Sequence, residues 1–300
     1  VTVTGLEKNT TYFYRVLSQE VKELLPYRPV LGNIVSTDIW KEPLTFTTLD
    51  GRQETLSMVM INDIHGKNDL QKKLLEMAPP QNVDMVVFCG DMCNYINKQS
   101  DIFTGFLDTS VGLFASRKPF VYVRGNHEIR GAYARNFSRY LAGPEGKFYY
   151  AFTYGPIRFI VLDSGEDKPD TDVEYSGLVD FDNYILEQKE WLARELESPE
   201  FRAASFRVVL SHIPFGKGGW YGSERLRKQL LPLLESVRID LMLSGHNHAF
   251  GFMDKGKVTA FPIIVNSNNS VLTMFGSEDL LKVQVKQIDG KVLLEKEFSK

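Results

Sequence analysis

Long apolar runs are missing from this chain. No stretch of its 300 residues approaches the ~18 consecutive apolar residues of a membrane span. A basic surface is missing too. The 35 Lys and Arg stand against 38 Asp and Glu, a net charge of −3 with the signs mixed along the sequence. That balance argues against a nucleic-acid scaffold binder or a general membrane binder, both of which need clustered positive charge. Cysteine is scarce. Cys89 and Cys93 lie at the end of an apolar run and in the loop after it, poor geometry for a disulfide, and both are read as structural. There is no internal repeat and no low-complexity tract. A Gly-x-Ser-x-Gly elbow and a phosphate-binding P-loop are absent, and His127-Glu128-Ile129-Arg130-Gly131 lacks the second histidine of a zincin. The chain opens on Val1 with no signal-peptide pattern, so a processed or trimmed product is expected. What it does have is an apolar fraction of 43%, enough for a sizeable core.

Histidine is also sparse, but its placement is ordered. Each of the five histidines follows an apolar run that reads as a buried strand. Ser57–Asn62 runs into Asp63-Ile64-His65, and Phe120–Val123 into Arg124-Gly125-Asn126-His127-Glu128. Phe206–Leu210 runs into Ser211-His212, and Ile239–Leu243 into Ser244-Gly245-His246-Asn247-His248. A fifth run, Val83–Cys89, ends in Gly90-Asp91. In open α/β sheets the ends of strands are where ligands sit, so Asp91 is placed at the rim of a sheet among histidines. Histidines that merely filled space would not concentrate this way, and a ligand cluster explains the set better than five separate core residues.

The order Asp-x-His, Gly-Asp, Gly-Asn-His-Glu, His, Gly-His-x-His resembles the calcineurin-like metallophosphoesterases, over roughly residues 55–270. The resemblance implies two metal ions ~3.5–4 Å apart, sharing a bridging carboxylate and activating a bridging water to hydrolyse a phosphate ester. It assigns Asp63, His65, Asp91 and His248 to one metal, and Asp91, Asn126, His212 and His246 to the other. Imidazole and carboxylate ligands suit Fe, Mn or Zn without choosing among them. His127 is left as the general acid for the departing alkoxide, and Glu128 is expected to bind nearby backbone. Asn94, Arg130, Lys217, Trp220 and Tyr221 are candidate substrate-binding residues. The leading substrate class is a phosphomonoester. The alternative is phosphodiester hydrolysis of nucleotides or lipid head groups, and a second alternative is a non-catalytic metal-binding protein. There is one departure within the family. Purple acid phosphatases have Gly where His65 stands and a metal-binding Tyr where Asn94 stands; Tyr95 is one residue late and is expected to point elsewhere.

The fold class expected is α/β: a four-layer sandwich of two mixed β-sheets flanked by helices, over residues 51–300. Strands alternate with helices at Asn68–Met77, Asp101–Ala115 and Gly131–Leu141, then Glu187–Glu197 and Ser223–Ser236, and the end of the chain is antiparallel strand. Residues 1–50 read as strands Val1–Leu6, Thr11–Val16 and Leu44–Thr48, similar to part of a fibronectin type III-like sandwich, which normally needs ~100 residues. Purple acid phosphatases carry such a sandwich before the catalytic domain, and that resemblance favours an extracytoplasmic location. Ser164–Asp180 is long and acidic and reads as a solvated face, with a lid as the alternative.

Overall fold

The computed structural model describes residues 3–300 apart from 39, 42, 50, 52, 217 and 218. The chain divides into two units, residues 1–52 and 53–300. The first holds β1 (Thr11–Tyr14), β2 (Leu17–Glu23), β3 (Val30–Ser36) and β4 (Leu44–Thr47), in two antiparallel ladders, β1 with β4 and β2 with β3. Tyr12 stacks on Phe46 across the first ladder, with ring centroids 5.7 Å apart. The strand expected at Val1–Leu6 does not form over its described positions; Gly5, at φ +73°, turns that segment out of extended backbone. The β2–β3 hairpin was not anticipated. Every residue of β2 is exposed, so no alternation of burial marks it in the sequence.

In the second unit each long apolar run becomes a strand buried on both faces, as parallel sheets require. One sheet joins β5 (Leu56–Ile61), β6 (Met85–Cys89) and β7 (Phe120–Val123) in parallel. It continues antiparallel from β5 through three strands labelled by chain position, β14 (Ser270–Gly276), β15 (Leu280–Gln287) and β16 (Val292–Ser299). The other sheet pairs β8 (Tyr150–Tyr154) antiparallel with β9 (Ile157–Leu162). Then β10 (Phe206–Ser211), β11 (Leu241–Ser244) and β13 (Ile263–Val265) follow in parallel, with β12 (Gly251–Met253) on the far edge. Each sheet has six strands.

Alternate residues of the central strands divide the core. Met58, Met60, Val87 and Cys89 of one sheet meet Phe159, Val161, Val208 and Leu210 of the other. Their neighbours Val59, Ile61, Val86 and Phe88 face outward onto Leu74, Leu75, Ile102 and Phe106. On the opposite side Ile160, Val209 and Met242 pack on Ile185, Leu192, Leu226 and Leu234. The result is helix, sheet, sheet, helix, the four layers expected.

The helices differ in detail from the expectation. Asn68–Met77 forms as read. The next helical run extends from Gln99 to Ala115 and includes two π-helical stretches, Phe103–Leu107 and Val111–Ala115. Residues 131–141 form no α-helix, only a 3-10 stretch at Ala134–Arg139. The helix expected from Glu187 begins at Phe181, and Ser223–Ser236 is two helices, Tyr221–Gln229 and Leu231–Glu235, with Pro232 opening the second. Among the described residues no helix is long and apolar enough to cross a membrane.

Candidate metal centre

The carboxyl ends of β5, β6, β7, β10 and β11 all open on one place. They bring Asp63 and His65, Asp91, Asn126 and His127, His212, and His246 and His248 together. Asp63 Oδ1 lies 3.2 Å from His248 Nε2, and His65 Nε2 lies 3.0 Å from the same nitrogen. On the other side Asp91 Oδ2 is 3.2 Å from His212 Nε2, and Asn126 Oδ1 is 3.2 Å from His246 Nδ1. Ligand atoms of Asp63, His65 and His248 lie within 4.8 Å of one another, as do those of Asp91, His212 and His246, and of His65, Asp91 and His127.

The loops that carry these groups are backbone-strained. Among the described residues nine non-glycine residues have positive φ, and five of them are Asp63, His65, Asp91, His246 and His248. The left-handed region costs roughly 1–2 kcal/mol for such residues, and it persists where surrounding bonds over-determine it. Here they do. Asp63 N donates to Gly90 O at 3.0 Å, and His65 N to Asp91 O at 2.9 Å. Gly90 itself sits at φ +83°, and a Cβ there would stand 2.3 Å from His212 Nδ1. At Gly125 a Cβ would stand 2.2 Å from Asp91 Oδ1. Gly90 makes room for a clustered side chain from the opposite sheet, and Gly125 for one from the adjacent strand.

Each carboxylate is also aimed. Asp63 Oδ2 accepts from Asn62 Nδ2 at 2.6 Å and from His246 N at 2.9 Å, leaving Oδ1 for the centre. Asp91 Oδ1 accepts from His127 N at 2.9 Å, leaving Oδ2. Glu128 takes three backbone N–H groups, those of Asp91, Cys93 and Gly125, as anticipated. His212 donates from Nδ1 to Cys89 O at 2.7 Å, which turns Nε2 inward.

The electrostatics are those of a site built for cations. Burial pushes His65 and His246 down to about 4, so both imidazoles are neutral and ready to coordinate at pH 7. Burial opposes charge on His212 as well, but the Asp91 and Asp63 carboxylates outweigh it and raise the group to about 10. Burial pushes Asp91 up, yet His212 and His127 hold it well below the usual carboxylate range. Two buried atoms that face the cluster, Asp63 Oδ1 and His212 Nε2, have no well-formed hydrogen bond. Buried polar atoms without such partners are costly, and cations shared between these donors would satisfy both.

The remaining sequence candidates separate. Asn94 offers its carbonyl to His127 Nδ1 at 3.0 Å. Tyr95, expected to point away, is half exposed with its ring 6.2 Å from that of His127. Trp220 lies beside the cluster, its ring 6.1 Å from His246, whereas Tyr221 donates to Asp182 and packs near Arg225. Lys217 lies outside the described residues. Arg130 is engaged by acidic side chains, because Glu166 and Asp167 of the acidic loop are buried rather than solvated. Missed altogether was Asn266, which donates to Asn62 Oδ1 at 2.8 Å while its own carbonyl accepts from Asn62 Nδ2. The signal was there: Asn266 ends the apolar run Ile263–Val265 as the ligands end theirs.

Gly90→Ala therefore carries both strain and a clash with His212, while Gly256→Ala, at the same φ of +83° with open space around it, carries strain alone. We expect Gly90→Ala to lose at least one of the Zn²⁺ ions that the wild type takes up, measured by elemental analysis after dialysis, and Gly256→Ala to keep them. Equal uptake by both variants would show that His212 is not held through Gly90.

The family model for calcineurin-like phosphoesterases matches residues 56–250. Purple acid phosphatase 23 of Arabidopsis thaliana is 23% identical over 296 residues, covering 85% of this chain and 57% of the plant protein. The chain spans little more than half the length of the first purple acid phosphatases it matches, at 57%, 52% and 54%. In structure it is similar to purple acid phosphatase PPD1 from yellow lupin (Lupinus luteus) seeds, with a TM-score of 0.70 at 16% identity over 99% of this chain and 61% of that one. It is also similar to a dimetal phosphatase from Danio rerio, with a TM-score of 0.59 at 17% identity over 81% of this chain and 98% of that one. A family model matched across most of the second unit, on a fold shared with two solved phosphatases, makes this chain a member of the calcineurin-like phosphoesterases.

Proposed function

We propose that the chain is a dinuclear-metal phosphatase acting on phosphomonoesters. The observation that carries this reading is the pair of donor sets flanking one buried carboxylate, Asp91. Asp63, His65, Asp91 and His248 would hold one cation, and Asp91, Asn126, His212 and His246 would hold the other. The names of the similar proteins, purple acid phosphatase and dimetal phosphatase, support the same chemistry. The bound cations supply charge neutralisation on the phosphoryl oxygens and activation of water.

The chain's own residues do the rest. The neutral amide of Asn126 leaves its cation more electrophilic than a carboxylate would. His127, its Nε2 3.9 Å from Asp91 Oδ2, borders the cluster, and in this reading it donates the proton that a departing alkoxide requires. Trp220, whose ring lies beside His246, forms part of the substrate wall, with Asn94 next to His127 as its second member. The first unit, read as a fibronectin type III-like sandwich segment, supports an extracytoplasmic location through its likeness to the segment that precedes the catalytic domain in purple acid phosphatases.

Parallel assays of an aryl phosphomonoester and an aryl phosphodiester test the function, after reconstitution with Zn, Mn or Fe. Faster monoester turnover is expected. Faster diester turnover would make the chain a phosphodiesterase of the same fold, and no hydrolysis with any metal would leave a metal-binding protein.

The role of His127 predicts a dependence on the leaving group. His127→Ala should lower kcat/KM for an alkyl phosphate by ~10²–10⁴-fold, the usual range for general acid catalysis, and for p-nitrophenyl phosphate far less. Metal content should stay at the wild-type level. Equal losses on the two esters would contradict the acid role, and loss of a metal would make His127 a ligand.

A further inference from the structure

The acidic loop after β9 reaches back to the centre through Arg130. Glu166 is 1% exposed and grips the guanidinium as a fork, taking Nε at 2.8 Å and Nη2 at 2.9 Å. Asp167 takes Nη2 as well, at 3.2 Å. The remaining edge of the guanidinium, Nη1, lies 3.2 Å from His127 Nε2. Neither end of this bridge is loose. Arg225 Nη2 donates to Glu166 O at 2.7 Å, and Gly222 N to Asp167 O at 3.0 Å. Arg130 O accepts from Ile96 N at 2.9 Å, and the next residue, Gly131, packs so close to Ile96 that a Cβ would stand 2.5 Å from its carbonyl oxygen.

These contacts leave His127 one arrangement of its proton. Asn94 O can only accept, so the ring nitrogen 3.0 Å from it, Nδ1, is the donor. A guanidinium can only donate, so Nε2 is the acceptor. We propose that Arg130, aimed by Glu166 and Asp167, is a positioning residue that fixes His127 as the Nδ1–H tautomer with its Nε2 lone pair toward the centre. Arg130 is then more than an anchor for the substrate phosphate, and Glu166 acts on the site without touching it. The inference deepens the phosphatase reading by naming what orients its proton donor. Under that reading, Nε2 takes up a proton from solvent as Arg130 Nη1 gives way, and the same proton then leaves with the alkoxide, which returns the ring to its Nδ1–H form.

The fork geometry matters more than the charge. A lysine keeps the charge but cannot span Glu166 and His127 together, because it lacks the planar pair of donors. Misplacing a catalytic group by about 1 Å costs up to ~10²-fold in rate. Both Arg130→Lys and Glu166→Gln should therefore lower kcat on an alkyl phosphate by up to ~10²-fold, with KM changed far less. A phosphate anchor would instead raise KM.

The direct test is ¹⁵N–¹H NMR of the imidazole nitrogens in the Zn-loaded protein with ¹⁵N-labelled histidine. His127 is assigned by the signal lost in His127→Ala. The wild-type ring should carry its proton on Nδ1 alone. Arg130→Ala should turn it into a mixture of tautomers, and Glu166→Gln should shift it the same way. Arg130→Lys serves as the folded substitute should the alanine variant not fold. A wild-type ring protonated on Nε2, or on both nitrogens, overturns the proposal, and so does a His127 signal unchanged in the variants. The tautomer is read without turnover, so an inactive protein would count against the phosphatase reading and leave this measurement intact.

Discussion

Two carboxylates, Asp63 and Asp91, lie almost fully buried at the rim where the two sheets meet, and the rest of the centre answers to them. Buried negative charge is expensive unless it is paired and hydrogen-bonded. One oxygen of each is satisfied by protein donors: Asn62 and the backbone of His246 for Asp63, the backbone of His127 for Asp91. The other oxygens, Asp63 Oδ1 and Asp91 Oδ2, face a ring of imidazoles. His212 answers them, its imidazole raised to about 10 by these two acidic neighbours against the opposing effect of burial. Cations bound between the same atoms would replace that proton, and this is why coordination and protonation compete at one place.

That demand explains the distribution of strain. Non-glycine backbone at positive φ is concentrated on the clustered Asp and His residues, and glycines stand where a Cβ would collide with a clustered side chain carried by another strand. Sheets packed through Met60, Val87, Phe159 and Leu210 provide the rigid frame that keeps these loops in place. The polar supports, Glu128 under Asp91 and the Asn62–Asn266 pair under Asp63, sit between that frame and the site. The same logic extends outward to Glu166, Arg130 and His127. A buried acid fixes a cation, and the cation fixes the ring.

The sequence made the cluster legible because parallel strands are continuous apolar runs, so the first polar residue after each run is at the rim. Five such runs located Asp63, Asp91, Asn126, His212 and His246 together with their neighbours. Asn266 has the same signature but is an amide without a histidine beside it, and it was passed over. The acidic loop was misread at Glu166 and Asp167, because composition reports charge and not pairing; Arg130, 36 and 37 positions earlier, comes to meet them, while Glu174 and Asp180 further along are exposed as expected. In the first unit, the β2–β3 hairpin has no buried face, so no alternation could reveal it. Residues 131–141 had helical periodicity, but Gly131 at φ +112° and the bonds of residues 130–133 to Ile96 hold that segment in tight turns instead.

The central claim is that Asp91 stands between two cation sites. Anomalous X-ray diffraction from crystals of the metal-loaded protein, collected at the absorption edge of the bound metal, tests it directly. The account predicts two peaks, one among Asp63, His65 and His248 and one among Asn126, His212 and His246, with the Asp91 carboxylate touching both. A single peak, or two peaks of which only one contacts Asp91, would contradict it.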